Sequence, residues 1–385
     1  MAGTTFTEGL EGVVAAQSAI CLVDGQAGRL VYRGYDIGDL ARWSTFEETT
    51  FLLWRGHLPT RSELDELNAA LAANRALPTP VLDFLHSVPP GTNNMDVLRT
   101  AVSLLGLYDP EADLNTEAAN RNKAIRLTAQ TGTLVAAIGR IAQRKDLIEP
   151  DPALSHAANF LYMLTGSRPS PALSRIFDAA LILHADHELN ASTFAGRVIA
   201  ATVSDLHSAM TGAIGALKGP LHGGANEGVM RMLVKVGGPE NVKPFIEGEL
   251  AARRRIPGFG HRVYRTWDPR ALVLRDMMCD LEAASGDNKW CNLARIVAET
   301  VWEAKHLYPN VDFYSAPLYY VLKIPIEVYT PVFAVSRMSG WTAHALEQYA
   351  NNRLIRPRAE YTGGLNIEYV PIEQRVATTP VGAAK

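Results

Sequence analysis

Apolar positions along most of the chain recur at three- and four-residue spacing, the period of a helix with one buried face. Leu64, Leu67 and Leu71 draw one such stripe, and Leu293, Ile296, Val297, Thr300, Val301 and Ala304 draw another. The runs Ala179–Leu183 and Ala209–Leu217 are apolar on several sides and predict helices buried within the fold. Start and stop signals agree with the period. Ser44-Thr45-Phe46-Glu47 reads as a capping box, with the serine hydroxyl and the glutamate carboxylate taking up free amide donors of the first turn. Thr60-Arg61-Ser62-Glu63 repeats the device, and Gly56 with Pro59 supplies the intervening stop. Ile20–Val23 and Leu30–Tyr32, around a glycine-containing turn at Asp24–Gly28, read instead as one hairpin. The pattern predicts an all-α protein with a minor N-terminal β-hairpin and a frayed end at Thr378–Lys385.

Composition narrows the class of function. The length of 385 residues allows two domains. With 40 acids against 37 bases the net charge is −3, which argues against nucleic acid or an anionic membrane as the main partner. Anionic ligands must then be held by local placement of arginine and lysine. No run of 18 apolar residues occurs, and Met1–Leu10 lacks the basic start and apolar stretch of a signal peptide. Cys21, Cys279 and Cys291 are too few and scattered for a disulfide framework or a cysteine-rich zinc site. A cytoplasmic protein is expected.

Four polar clusters interrupt the helical pattern: His184–Thr193, Lys218–Glu227, Pro257–Arg270 and Asn310–Ser315. His222 lies in a Gly/Pro-bracketed turn before a new helix, where a neutral imidazole could donate to an enolate oxygen; a turn histidine bonded to a carbonyl is the plainer reading. His261 follows two glycines and precedes Arg262, Arg265 and Arg270, cations suited to carboxylate or phosphate, or else a solvated basic loop. Asp312 sits between Val311 and Phe313, a setting that would raise its pKa and make it a better base; alternatively it caps a helix starting near Ser315. His184 and His187 share helical spacing, but no third metal ligand follows at a recognisable distance.

The wording and order of these clusters resemble the citrate synthase family. The resemblance rests on His184-Ala185-Asp186-His187-Glu188, Gly219-Pro220-Leu221-His222-Gly223-Gly224, Gly258-Phe259-Gly260-His261-Arg262-Val263-Tyr264 with Asp268-Pro269-Arg270, and Asn310-Val311-Asp312. Gly9-Leu10-Glu11-Gly12-Val13, Tyr32-Arg33-Gly34-Tyr35-Asp36, Val335-Ser336-Arg337, Gly340-Trp341-Thr342-Ala343-His344 and Arg353–Pro357 extend it over nearly the whole chain.

That resemblance implies a two-domain helical fold and a homodimer, with residues 1–221 and 325–385 forming the large domain and 222–324 a small inserted one. It implies condensation of acetyl-CoA with oxaloacetate, followed by hydrolysis of citryl-CoA, without a resident cofactor or metal. Asp312 would be the base, His222 would stabilise the enol or enolate, and His261 would polarise the keto group and serve as acid. His187, Arg270, Arg337 and Arg356 would hold oxaloacetate, Arg356 from the partner subunit, while Arg262 and Arg265 would meet CoA phosphates. The chain begins close to the shared core, which implies no strong inhibition by NADH through an additional N-terminal domain. The alternative within the family is a 2-methylcitrate synthase using propionyl-CoA, because one methylene is worth only about 1–3 kcal/mol of discrimination. A metal-dependent hydrolase built on His184, Asp186 and His187, or an inactive helical scaffold, are the rivals outside it.

Overall fold

The computed structural model describes residues 6–375, so the Thr378–Lys385 end lies outside the described residues. The chain divides into two compact units, one of Met1–Ala16 with Ile355–Lys385 and the other of Gln17–Leu354. The first contains short 3-10 turns at Glu8–Leu10 and Ile372–Gln374.

The second unit opens with the expected hairpin, β1 (Cys21–Asp24) and β2 (Arg29–Tyr32), to which β3 (Tyr35–Asp36) adds a third antiparallel strand. The register pairs Cys21 with Tyr32 and Tyr32 with Tyr35, which turns the Tyr32 side chain into the core. Sixteen helices follow among the described residues: α1 (Ile37–Trp43), α2 (Phe46–Arg55), α3 (Arg61–Ala73), α4 (Thr79–Ser87), α5 (Asn94–Leu107) and α6 (Glu117–Ala142). Next come α7 (His156–Thr165), α8 (Pro171–His184), α9 (Ala191–Ala200), α10 (Leu206–Leu217), α11 (Ala225–Val236) and α12 (Val242–Ala251). The series closes with α13 (Pro269–Ser285), α14 (Lys289–Lys305), α15 (Val311–Val321) and α16 (Tyr329–Ala350).

Two long helices organise the core. α6 is buried along Leu127–Arg140 and α16 along Tyr329–Ala345. α16 packs against α2, α6, α8, α9 and α10, which explains why its sequence carries no clear polar face. Helices α11, α13 and α14 pack on α15, and α12 packs on α14.

Two local expectations are corrected. The capping box at α2 is formed by Thr45 and Glu48, one residue later than read from the sequence. Glu47 is drawn into the interior instead, where its carboxylate accepts the backbone N–H of His156 at 2.7 Å. The box at Thr60 and Glu63 forms as expected. The cysteines are not all free either: Cys279 on α13 and Cys291 on α14 form a disulfide with Cα atoms 5.1 Å apart. Packing of α13 on α14 brings together residues that looked isolated along the chain. The Glu282 carboxylate reinforces this corner by accepting the backbone N–H groups of Trp290 and Cys291 at 3.1 and 2.7 Å.

Oxidised protein unfolded in denaturant should titrate one thiol, that of Cys21, and three after reduction. Breaking the short loop closed by the bridge should lower the free energy of unfolding by about 3 kcal/mol, measured by denaturant titration of the reduced protein.

Candidate active site

The His261 loop is stapled to the segment that leads into α15. Gly260 N–H donates to Tyr308 O and Asn310 N–H donates to Gly258 O, both at 2.9 Å. The Asn310 side chain donates to Gly260 O at 3.0 Å. Gly258 and Gly260 have φ of +82° and +78°, and a Cβ on Gly258 would lie 3.0 Å from Phe313 Cβ, so this close left-handed crossing needs glycine. Within the loop, backbone N–H groups of Val263 and Tyr264 donate to His261 Nδ1 at 3.0 and 3.2 Å. That nitrogen is therefore unprotonated, and the neutral ring carries its proton on Nε2. Burial, then the nearby Arg270 charge, pushes the His261 pKa down to about 4.

His222 is arranged by the same logic with the other nitrogen. Its Nε2 lies 2.8 Å from Ser192 Oγ and 3.3 Å from the Ser192 backbone N–H, which donates to it. Ser192 opens α9 and is itself held by the Trp341 indole, which donates to Ser192 Oγ at 3.1 Å. With Nε2 engaged as acceptor, the His222 proton resides on Nδ1. Burial, with Arg337 adding to it, pushes this pKa down to about 4. Both imidazoles are thus neutral donors at pH 7.

Asp312 lies in the first turn of α15. It does not cap a helix starting near Ser315; the helix begins at Val311 and Asn310 is its cap, accepting Asp312 N–H at 3.1 Å. No hydrogen bond to the Asp312 carboxylate is formed among the described residues, and burial pushes its pKa up to about 6. The nearby Arg270 and Arg337 charges pull the other way and keep the shift from being larger.

Both arginines are buried. Arg270 is paired in two-pronged fashion with Asp268, Nε to Oδ1 at 3.0 Å and Nη2 to Oδ2 at 2.8 Å. Burial opposes its charge, but Asp268 more than offsets this and holds the Arg270 pKa above its ordinary value. Asp268 also caps α13 and accepts Val311 N–H at 3.2 Å, which ties the arginine to the turn carrying Asp312. Arg337 donates Nε to His184 O at 2.7 Å and lies over the Phe333 ring. Its terminal nitrogens make no hydrogen bond among the described residues.

His187 faces His261 edge-on with ring centroids 5.2 Å apart, and its Nε2 lies 3.3 Å from Tyr264 OH. Burial first, then Arg270, His261, Arg337 and His222, hold its pKa well below the ordinary value. His184 points elsewhere: its Nδ1 lies 2.8 Å from Ala180 O and its ring packs against Phe333 and Tyr319. The pair therefore shares no ligand position, which removes the geometric basis of the metal reading.

Six residues singled out from the sequence are thus brought together: His187, His222, His261, Arg270, Asp312 and Arg337. Arg265 joins His261 and Tyr264 in lining a cleft opposite His306, Leu307 and Tyr308. Arg262 is exposed and is not among the lining residues. Arg356 is exposed in the unit of Met1–Ala16 and Ile355–Lys385. Sequence reasoning passed over Ser192, Asp268 and Tyr264 as site-building residues although all three lie inside the clusters quoted above. Their signal was proximity to polar clusters, but their partners are set only by the fold.

An all-helical scaffold presenting two neutral imidazole donors, a carboxyl of raised pKa and two buried guanidiniums defines a site for enolisation chemistry on an anionic substrate. The profile described as "Citrate synthase, C-terminal domain" matches residues 9–358. The chain is 51% identical to "Citrate synthase 2" of Bacillus subtilis over 372 residues, covering 96% of this chain and all of that one. It is 50% identical to the citrate synthase of Haloferax volcanii, covering 95% and 98%, and 42% identical to the "Citrate/2-methylcitrate synthase" of Bacillus subtilis, covering 93% and 96%. A solved ternary complex of Thermoplasma acidophilum citrate synthase with carboxymethyl coenzyme A and oxaloacetate superposes with a TM-score of 0.91 at 31% identity, covering 96% and 100%. The chain belongs to the citrate synthase family.

The Asp312 pKa carries a consequence for stability. A carboxyl whose folded pKa lies above its unfolded value binds a proton more tightly when folded. Its ionisation therefore costs stability once pH exceeds about 4, and the cost is complete above about 6. Asp312→Asn should raise the unfolding free energy by about 3 kcal/mol at pH 8 and by almost nothing at pH 3.5, read from thermal melts across that range.

Proposed function

We propose that the chain is a citrate synthase that condenses acetyl-CoA with oxaloacetate and hydrolyses citryl-CoA to citrate and CoA. The observation that carries this reading is the paired tautomers, with His222 presenting Nδ1–H and His261 presenting Nε2–H, together with the buried Asp312 carboxyl, whose pKa is pushed up to about 6. Deprotonating a methyl group next to a thioester needs a base together with a donor at the carbonyl oxygen. Condensing the product with a ketone needs a second donor.

In this account the Asp312 carboxylate takes a methyl proton while His222 Nδ1–H stabilises the developing enolate oxygen. The new carbon–carbon bond places negative charge on the former keto oxygen, and His261 Nε2–H supplies the proton that quenches it. Water then attacks the thioester and CoA leaves as the thiol. Arg270 and Arg337 hold the two carboxylates of oxaloacetate, and His187 completes the contact with that substrate. Arg265, which lines the cleft with His261, and the exposed Arg262 meet CoA phosphates in this reading. No resident metal or cofactor takes part.

The chain works as a homodimer in which Arg356 completes the partner's site. Supporting this, the segment that carries Arg356 leaves Leu365, Ile367, Tyr369 and Ile372 exposed, more apolar surface than a free segment would leave in water. Residues 222–324 act as a small domain that closes over the substrates and excludes water. The cytoplasm is the site of action; among the described residues no helix is long and apolar enough to cross a membrane. A relative named for both citrate and 2-methylcitrate synthesis makes propionyl-CoA the second substrate to try.

Purified protein given oxaloacetate should release CoA thiol with a higher kcat/KM from acetyl-CoA than from propionyl-CoA. The reverse preference would make it a methylcitrate synthase with the same machinery. Turnover should fall as pH drops through about 6, where Asp312 takes up its proton and can no longer act as base. Asp312→Asn should bind oxaloacetate normally by calorimetry yet lose about 10²–10⁴ in kcat. Near-full activity in that variant would remove Asp312 from the base role.

A further inference from the structure

Behind His187 lies a line of buried polar groups that the chemistry above does not use. Asp186, His344 and Arg197 are each at most 4% exposed, although they belong to the α8–α9 turn, α16 and α9 respectively. The Arg197 guanidinium lies 2.7 Å from His344 Nδ1. A guanidinium only donates, so Nδ1 accepts and the neutral ring keeps its proton on Nε2. That nitrogen stands 3.2 Å from Asp186 Oδ1. The other Asp186 oxygen accepts Glu188 N–H at 3.0 Å. Arg197 is itself fixed by Glu347 at 2.7 Å and Gln348 at 3.2 Å. Arg197 thus fixes the tautomer of the His344 ring, whose Nε2–H faces the Asp186 carboxylate.

Stability alone does not account for such a line. Buried charged networks are on average no more stabilising than apolar side chains of equal volume. What they do supply is orientation, and here the oriented group is the turn that bears His187. Tyr32 grips the same turn from β2, donating to Asp186 O at 2.7 Å and accepting Asp186 N–H at 3.0 Å. The side-chain carboxylate, by contrast, is met by Glu188 N–H within the turn and by His344 from α16.

We propose that His344 is a positioning residue for oxaloacetate: held as its Nε2–H tautomer by Arg197, it orients the Asp186 carboxylate and thereby places His187 against His261. The inference rests on the reading of this site as an oxaloacetate site. Glutamine offers an acceptor and a donor on one planar group, as the neutral imidazole does, whereas leucine offers only volume. His344→Leu should weaken oxaloacetate binding at least about tenfold, since misplacing a substrate-orienting group by a fraction of an ångström is that costly. His344→Gln should restore binding to within about threefold of wild type, and KM for acetyl-CoA should move by less than about threefold in both.

Isothermal calorimetry with oxaloacetate, alongside thermal melts, decides the matter. Leucine binding as tightly as histidine overturns the proposal. So do leucine and glutamine variants that lose affinity equally and in step with their melting temperatures, because a merely structural role behaves that way. If neither variant folds, Asp186→Asn is measured instead; a tenfold loss supports the proposal and unchanged affinity overturns it. Wild-type protein that binds no oxaloacetate refutes the substrate reading itself, and the proposal falls with it.

Discussion

Everything at the candidate site depends on how closely α16 approaches the turn between α8 and α9. At Gly340 an added Cβ would stand 2.1 Å from Ala185 O and 2.7 Å from Asp186 Oδ1, so only hydrogen fits between the helix and the turn. The same approach lets Arg337, one turn earlier, reach His184 O, and lets His344, one turn later, reach Asp186. Trp341, the next residue, extends to Ser192 and so fixes His222 at the start of α9. One helix thus sets the position of two histidines and an arginine that come from separate parts of the chain. α16 is in turn anchored from α2, where the Trp54 indole donates to Ser339 O and to Thr342 Oγ1.

The electrostatics follow from burial. The two buried guanidiniums are treated differently: Asp268 pairs with Arg270 and holds its pKa above the ordinary value, whereas the more loosely placed Asp186 charge only partly offsets burial at Arg337, whose pKa lies below it. Although burial alone would raise the Asp186 pKa, His344 and Arg337 hold it below its ordinary value, so the carboxylate stays charged. The histidines are treated in the opposite way. Backbone donors occupy one nitrogen of His222 and of His261, and burial beside arginines keeps both rings neutral. Asp312 keeps a net cost of ionisation despite the nearby Arg270 and Arg337 charges, which makes it the natural proton acceptor and a burden on stability.

The sequence makes part of this legible and hides the rest for physical reasons. Helical spacing and end signals identified the all-α class, and Gly/Pro-punctuated polar clusters drew attention to His222 and His261, whereas Asp312 was singled out only by the resemblance of its Asn310-Val311-Asp312 segment to the citrate synthase family. The site-building partners give no such sign. Tyr32 reads as an ordinary strand residue, and Arg197 and His344 read as polar residues on helices, until three elements distant in sequence meet around Asp186. The Cys279–Cys291 bridge was hidden in the same way, since only the packing of α13 on α14 brings the thiols together. The capping box at α2 was misread by one residue because burial of Glu47 is a tertiary event. The small sheet was undervalued: β2 delivers the hydroxyl that brackets the Asp186 backbone.

The central claim is that the approach of α16 at Gly340 sets the substrate geometry. Its most direct test is the oxaloacetate affinity of Gly340→Ala, measured by calorimetry on protein whose far-ultraviolet circular dichroism shows the helices intact. The account predicts that the added methyl pushes the turn away from α16, so that oxaloacetate binding falls by at least about 10²-fold while helical content stays the same. A Gly340→Ala protein that binds oxaloacetate as tightly as wild type would contradict it.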